Sequence, residues 1–116
     1  MDLGVEKLTQ PAILLLLAQS EAHGYDLIQR LSQLDFMEGE PDTATVYRNL
    51  RRMEQDGLVV SQWQHGESGP ARRHYRLTDS GLKLLDEWAQ KLEDRMKKLE
   101  SFILSYKNIK NHKNNK

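Results

Sequence analysis

The stretch TATVYRNLRRMEQDGLVVSQWQHGESGPARRHYRL, Thr43 to Leu77, decides the fold. Val46, Leu50 and Met53 recur within it at helical spacing and share one stripe. Asp42 or Thr43 can cap this helix, and Gly57 supplies its stop. At about 100° per residue the opposite face carries Ala44, Thr45, Arg48, Arg51, Arg52 and Gln55. An ordinary solvated helix face alternates acids with bases; this one has no acid before Glu54. Two strand-like runs follow, Leu58 to His65 and Arg73 to Leu77, around the turn Gly66 to Pro70. They predict a β-hairpin with Tyr75 and Leu77 facing in and His74 and Arg76 facing out.

Upstream, Leu8 to Gln19 is apolar on nearly all sides and predicts a buried helix, with Pro11 near its start where a helix tolerates it. Ser20 to Gly24 reads as a turn. Leu27, Ile28, Leu31 and Leu34 then mark an amphipathic second helix, and the acidic segment Asp35 to Pro41 reads as a loop. Downstream, Thr78 opens a long final helix. Leu82, Leu85, Trp88, Leu92, Met96, Leu99, Ile103 and Tyr106 form a stripe of about seven turns along it.

The order helix, helix, loop, helix, hairpin, long helix predicts a mainly α (α+β) chain. Residues 1–78 form a winged helix-turn-helix domain, 79–110 a C-terminal dimerisation helix and 111–116 a disordered basic tail. In a helix-turn-helix the second helix of the motif enters the major groove. Thr43, Thr45 and Arg48 suit its tip, because arginine bonds guanine bidentately and threonine reaches a base, a phosphate or a thymine methyl. Arg51 and Arg52, further along, suit phosphates. In the wing, Arg72, Arg73 and His74 follow the tight turn and suit phosphates or the minor groove.

The 116 residues carry no net formal charge, but the charge is unevenly placed. Between Thr43 and Arg76 lie six arginines and three acids, whereas acids gather at Asp35 to Asp42 and along Asp86 to Glu100. A neutral protein of this kind still offers phosphates one positive face. Only 38% of residues are hydrophobic, so part of the core is expected from a partner chain. The long apolar stripe agrees: a second copy of the same helix covers it, with Leu85, Trp88, Leu92, Met96, Leu99 and Ile103 at a homodimer interface. Trp88 is also the candidate residue for an effector pocket between subunits.

Several chemistries find no support. There is no cysteine, hence no disulfide or thiolate metal site. His65 and His74 stand as candidate cross-strand neighbours, but no third ligand converges, so neither a metal nor a cofactor is expected. No nucleophile–base pair or phosphate-cradling glycine loop suggests catalysis. The longest apolar run, Ile13 to Ala18, is too short for a bilayer and no signal peptide precedes it, so the chain reads as soluble and cytoplasmic. The alternative of another class is a winged-helix module that binds protein and never DNA.

Three strings resemble the PadR family of bacterial transcriptional regulators. They are Gly24-Tyr25-Asp26-Leu27; Thr45-Val46-Tyr47-Arg48-Asn49-Leu50 with Met53-Glu54 and Gly57-Leu58; and Arg73-His74-Tyr75-Arg76-Leu77-Thr78-Asp79-Ser80-Gly81. The similarity covers Leu8 to Leu92. It implies a dimeric repressor in the bacterial cytoplasm, associated with the nucleoid when bound, and places Tyr25, Thr45, Tyr47 and the wing arginines near double-stranded DNA. It further implies release by a small, often aromatic, effector. Two positions depart from the family pattern: Ala44 stands where glycine is frequent and Arg48 where proline is. The helix is therefore expected to be stiffer, and base preference does not transfer.

Overall fold

A computed structural model of the chain describes residues 8–37, 41–66 and 69–114. The helix α1 (Thr9–Gln19) buries Pro11, Ala12, Ile13, Leu14, Leu16 and Leu17. That all-round burial is the expected consequence of an uninterrupted apolar run. Its C-terminal carbonyls are met by a cation: Arg30 Nη2 donates to the Leu16 carbonyl at 3.1 Å and to Gln19 Oε1 at 3.4 Å. The charge complements the negative end of the helix dipole.

Arg30 belongs to α2 (Gly24–Ser32), whose inner face is Gly24, Leu27 and Leu31. The third helix, α3 (Thr43–Gln55), turns Val46, Leu50 and Met53 inward as their spacing requires. Its end is a Schellman motif: Leu58 N–H donates to the Met53 carbonyl and Gly57 N–H to that of Glu54, with Gly57 at φ 75°. Ile13, Leu14, Leu27, Leu31, Val46, Leu50, Met53 and Val59 are all less than 2% exposed. At roughly 1.5–3 kcal/mol each, their burial outweighs any surface ion pair in holding this core.

The sheet has three antiparallel strands in the order β1-β3-β2, formed by β1 (Ala22–His23), β2 (Val59–Gln64) and β3 (Arg72–Leu77). The hairpin β2–β3 is the expected wing, with Val59 opposite Leu77 and Trp63 opposite Arg73. Glu67 and Ser68 of its turn, and residues 38–40 of the acidic loop, lie outside the described residues. The strand β1 corrects the reading of Ser20 to Gly24 as a plain turn. Ala22 pairs with Tyr75 and His23 with His74, so two residues add an edge to the wing. Their hydrogen-bonding partner lies some fifty residues downstream, beyond the reach of local pattern.

The last helix, α4 (Asp79–Asn114), has 36 residues and is ~54 Å long at 1.5 Å per residue. It continues past 110, so residues 111–114 are helical and not the disordered tail expected from their Asn/Lys composition. Only 115–116 of that tail lie outside the described residues. Unbroken helical hydrogen bonding carries the polar end, since no proline or glycine interrupts it. The chain divides into two compact units, Met1–Leu85 and Asp86–Lys116. In the second unit Leu92, Met96, Leu99, Ile103 and Tyr106 are all exposed in the single chain and Trp88 is half-buried; Leu85, the last residue of the first unit, is half-buried too. Among the described residues no helix is long and apolar enough to cross a membrane.

Candidate nucleic-acid interface

The outer face of α3 begins at Asp42, which occupies the N-cap position without a side-chain bond to the helix backbone. Its carboxylate instead accepts a hydrogen bond from Thr45 Oγ1 at 3.1 Å. Asn49 Nδ2 donates to the Thr45 carbonyl at 2.8 Å. These contacts leave Thr45 partly buried, with its hydroxyl proton engaged and its lone pairs able to accept. Thr43, Arg48, Arg51 and Arg52 are exposed, as the stripe opposite Val46, Leu50 and Met53 demands.

Tyr47 leaves α3 toward α2. Its ring lies so close to Gly24 that a Cβ at Gly24 would stand 2.7 Å from Tyr47 Cε1. A side-chain-free residue at the start of α2 is therefore what seats Tyr47 there. Next to Gly24, Tyr25 is 61% exposed. Tyr25, Tyr47, Arg51, Trp63, Arg72, Arg73 and Tyr75 are among the residues that line a cleft of about 610 Å³ between the two helices and the wing. No acid lines it among the described residues. The cleft thus brings Tyr25, Tyr47, Arg51, Arg72 and Arg73 of the expected site together.

On the wing, Arg73 lies over the Trp63 ring at 5.3 Å from its centroid, a cation–π contact between directly paired residues. Tyr75, two residues along the same face, is only 5% exposed, so the inward reading of this position holds. Burial pushes its phenol pKa up from the ordinary value of 10.0, against the opposing pull of the Arg73 charge. At the base of the wing, Ser61 Oγ donates to a Glu54 carboxylate oxygen, tying β2 to α3.

His74 is a correction to the outward reading. Its side chain is only 19% exposed, and its Nε2 lies 2.8 Å from Glu21 Oε2. Its ring meets that of His23 edge-on at 5.0 Å, and the Nδ1 atoms of both rings are enclosed with no hydrogen-bond partner. The cause is β1, which covers the edge of β3 where His74 was expected to meet solvent. His65 is not across from His74, whose β2 partner is Gln62. Among the described residues no group of three or more potential ligands is placed to hold a metal ion. Trp63 is the site residue that the sequence reading passed over. Its signal was present, because Val59, Ser61 and Trp63 alternate on the strand face shared with Tyr75.

Known proteins share this fold. The family model described as the transcriptional regulator PadR-like family matches residues 13–87. The transcriptional regulator Rv3488 of Mycobacterium tuberculosis is 40% identical over 77 residues, which span 66% of this chain and 68% of that protein. The crystal structure of a PadR family transcription regulator from Clostridium difficile R20291 superposes with a TM-score of 0.74 at 25% identity. That superposition covers 83% of this chain and 98% of the other. Bacillus subtilis PadR in complex with operator DNA matches with a TM-score of 0.62 at 26% identity, over 69% of this chain and 45% of that one. The winged-helix chain with its cationic third helix and its arginine-bearing wing belongs to the PadR-like family of transcriptional regulators.

Proposed function

We propose that the chain is a repressor that binds a palindromic operator as a homodimer. The observation that carries this reading is that Arg48, Arg51 and Arg52 are exposed on α3 and that Arg51 shares one cleft with Arg72 and Arg73 of the wing. Thr43, Thr45 and Arg48 read base edges in the major groove, and Arg51, Arg52, Arg72 and Arg73 meet phosphates. Tyr25 and Tyr47 add hydroxyl donors at the cleft. The operator-DNA complex of the B. subtilis relative supports DNA as the partner. His74 is left out of the contact set because Glu21 and His23 already engage it.

Dimerisation belongs to the same reading, through Leu85, Trp88, Leu92, Met96, Leu99 and Ile103 of paired α4 helices, dividing the chain functionally near residue 78. Release by a small aromatic effector follows from family likeness, with Trp88 as the pocket residue. The regulator acts in the cytoplasm, at the nucleoid when bound, and not as an enzyme.

Sequencing the genomic fragments retained by the purified protein tests the proposal. The expected result is an inverted repeat whose half-sites lie about one helical turn apart, roughly 10 base pairs. No retained fragment even at low salt would favour a protein-binding module instead.

A further inference from the structure

Arg73 differs from an ordinary surface arginine in being held against an aromatic face. The register places Trp63 directly opposite it, and the guanidinium lies over that indole at 5.3 Å. Two residues along β3, on the same strand face and lining the same cleft, stands the Tyr75 phenol. Tyr75 is itself buried, so this part of the strand is fixed by the core. Trp63, by contrast, is 59% exposed. An indole so far out of the core contributes little to folding, and its face is turned to the use of one cation.

Arg51 of α3 lines the same acid-free cleft. A free arginine loses rotamer freedom when it grips an anion, whereas one already held loses less. Resting on the DNA-binding reading above, we propose that Trp63 is a positioning residue. It holds Arg73 as a preformed seat for one phosphate of the DNA backbone, completed by Arg51 from α3. Trp63 acts through Arg73 and needs no contact of its own with DNA.

The test is a double-variant cycle on the full chain, using a duplex copied from a retained genomic fragment. Trp63→Leu should weaken binding about two- to fivefold, the scale of an exposed cation–π contact. Arg73→Ala should weaken it at least as much and lower the salt slope by about one, the share of a single phosphate contact. The variant carrying both changes should bind no worse than Arg73→Ala alone, and Trp63→Phe, which keeps a ring face, should recover most of the loss. Losses that multiply in the double variant would overturn the proposal, as would a Trp63→Leu protein with unchanged affinity.

A DNA-free readout separates this inference from the reading it rests on. In nitrogen-15 relaxation, the Arg73 Nε–H should be ordered in the wild type and mobile in Trp63→Leu. Equal mobility in both would sink the positioning role even if the wild type binds DNA. Failure of the wild type to bind any DNA would instead remove the DNA reading, and with it the phosphate.

Discussion

Gly24 and Tyr47 sit on different helices, and their contact is a relation between single residues that no periodicity announces. The sequence offered Gly24 as the end of a turn and Tyr47 as a residue implied by family likeness alone. In the structure the ring of Tyr47 fills the space where a side chain at residue 24 would stand. The nearest atoms to an added Cβ belong to the end of a flexible ring, so the ring can swing away at little cost. Gly24 has ordinary helical backbone, and alanine is the better helix former. Gly24→Ala should therefore leave the melting temperature within a few degrees, about 1 kcal/mol or less, while displacing Tyr47 from the cleft and weakening DNA binding several-fold. Thermal melts and binding isotherms read side by side check this; an unchanged affinity would show that Tyr47 does not depend on its seat. Residues read directly from helical spacing fared differently. Val46, Leu50 and Met53 are buried and Arg48, Arg51 and Arg52 exposed, because a helix leaves no choice once one face is core.

Elements were legible in proportion to how local their causes are. The all-apolar α1, the striped α3 with its glycine stop and the start of α4 at Thr78 follow from nearby residues. Thr78 accepts a bond from Gly81 N–H through its hydroxyl at 3.1 Å, and that hydroxyl donates to the Gly57 carbonyl at 2.6 Å. One side chain thus caps α4 and ties it to the end of α3. The strand β1 was hidden because two residues carry no period, and only pairing with β3 makes them a strand. The outer end of α4 was hidden for the opposite reason: polar composition suggested fraying where helix persists. The join between α3 and α4 is also a close backbone approach. A Cβ at Gly81 would lie 2.2 Å from the Leu58 carbonyl oxygen, which already accepts from Thr78 N–H at 3.1 Å. The Leu77 side chain, whose Cδ1 would lie 2.6 Å away, can rotate aside, but the backbone carbonyl cannot. Gly81→Ala should cost roughly 1–3 kcal/mol despite the better helix propensity of alanine. Urea titration monitored by circular dichroism measures the loss, and a variant as stable as wild type would mean that the backbone yields there.

For the molecule as a whole, net charge misleads and distribution informs. A zero sum hides an α3 and wing rich in arginine, balanced by residues 1–42 with eight acids and two bases, so the face proposed to meet phosphate is still positive. The helix α4 holds the largest unsatisfied demand of the single chain. Met96, Leu99 and Ile103 are 57%, 58% and 46% exposed on one stripe, which is more apolar surface than a solitary helix keeps in water without a partner. Phe102 and Ile109, at 70% and 62%, broaden the apolar arc toward the end of the helix and were not part of the stripe read from sequence. If paired α4 helices cover this face, a charge placed on it is buried twice in a symmetric interface, once from each copy. Leu99→Glu should then give a monomer in sedimentation velocity. Because residues from Asp86 onward form a separate compact unit, the winged-helix unit should keep its fold and its melting transition. DNA affinity should fall by roughly 10²-fold or more, since two linked recognition helices become one and the gain from linkage is lost. Half-site duplexes sharpen the reading: the variant should bind a single half-site as well as the wild type does, and only the full palindrome should tell them apart. A Leu99→Glu protein that remained dimeric would mean that the exposed stripe of α4 is not the surface that joins two copies.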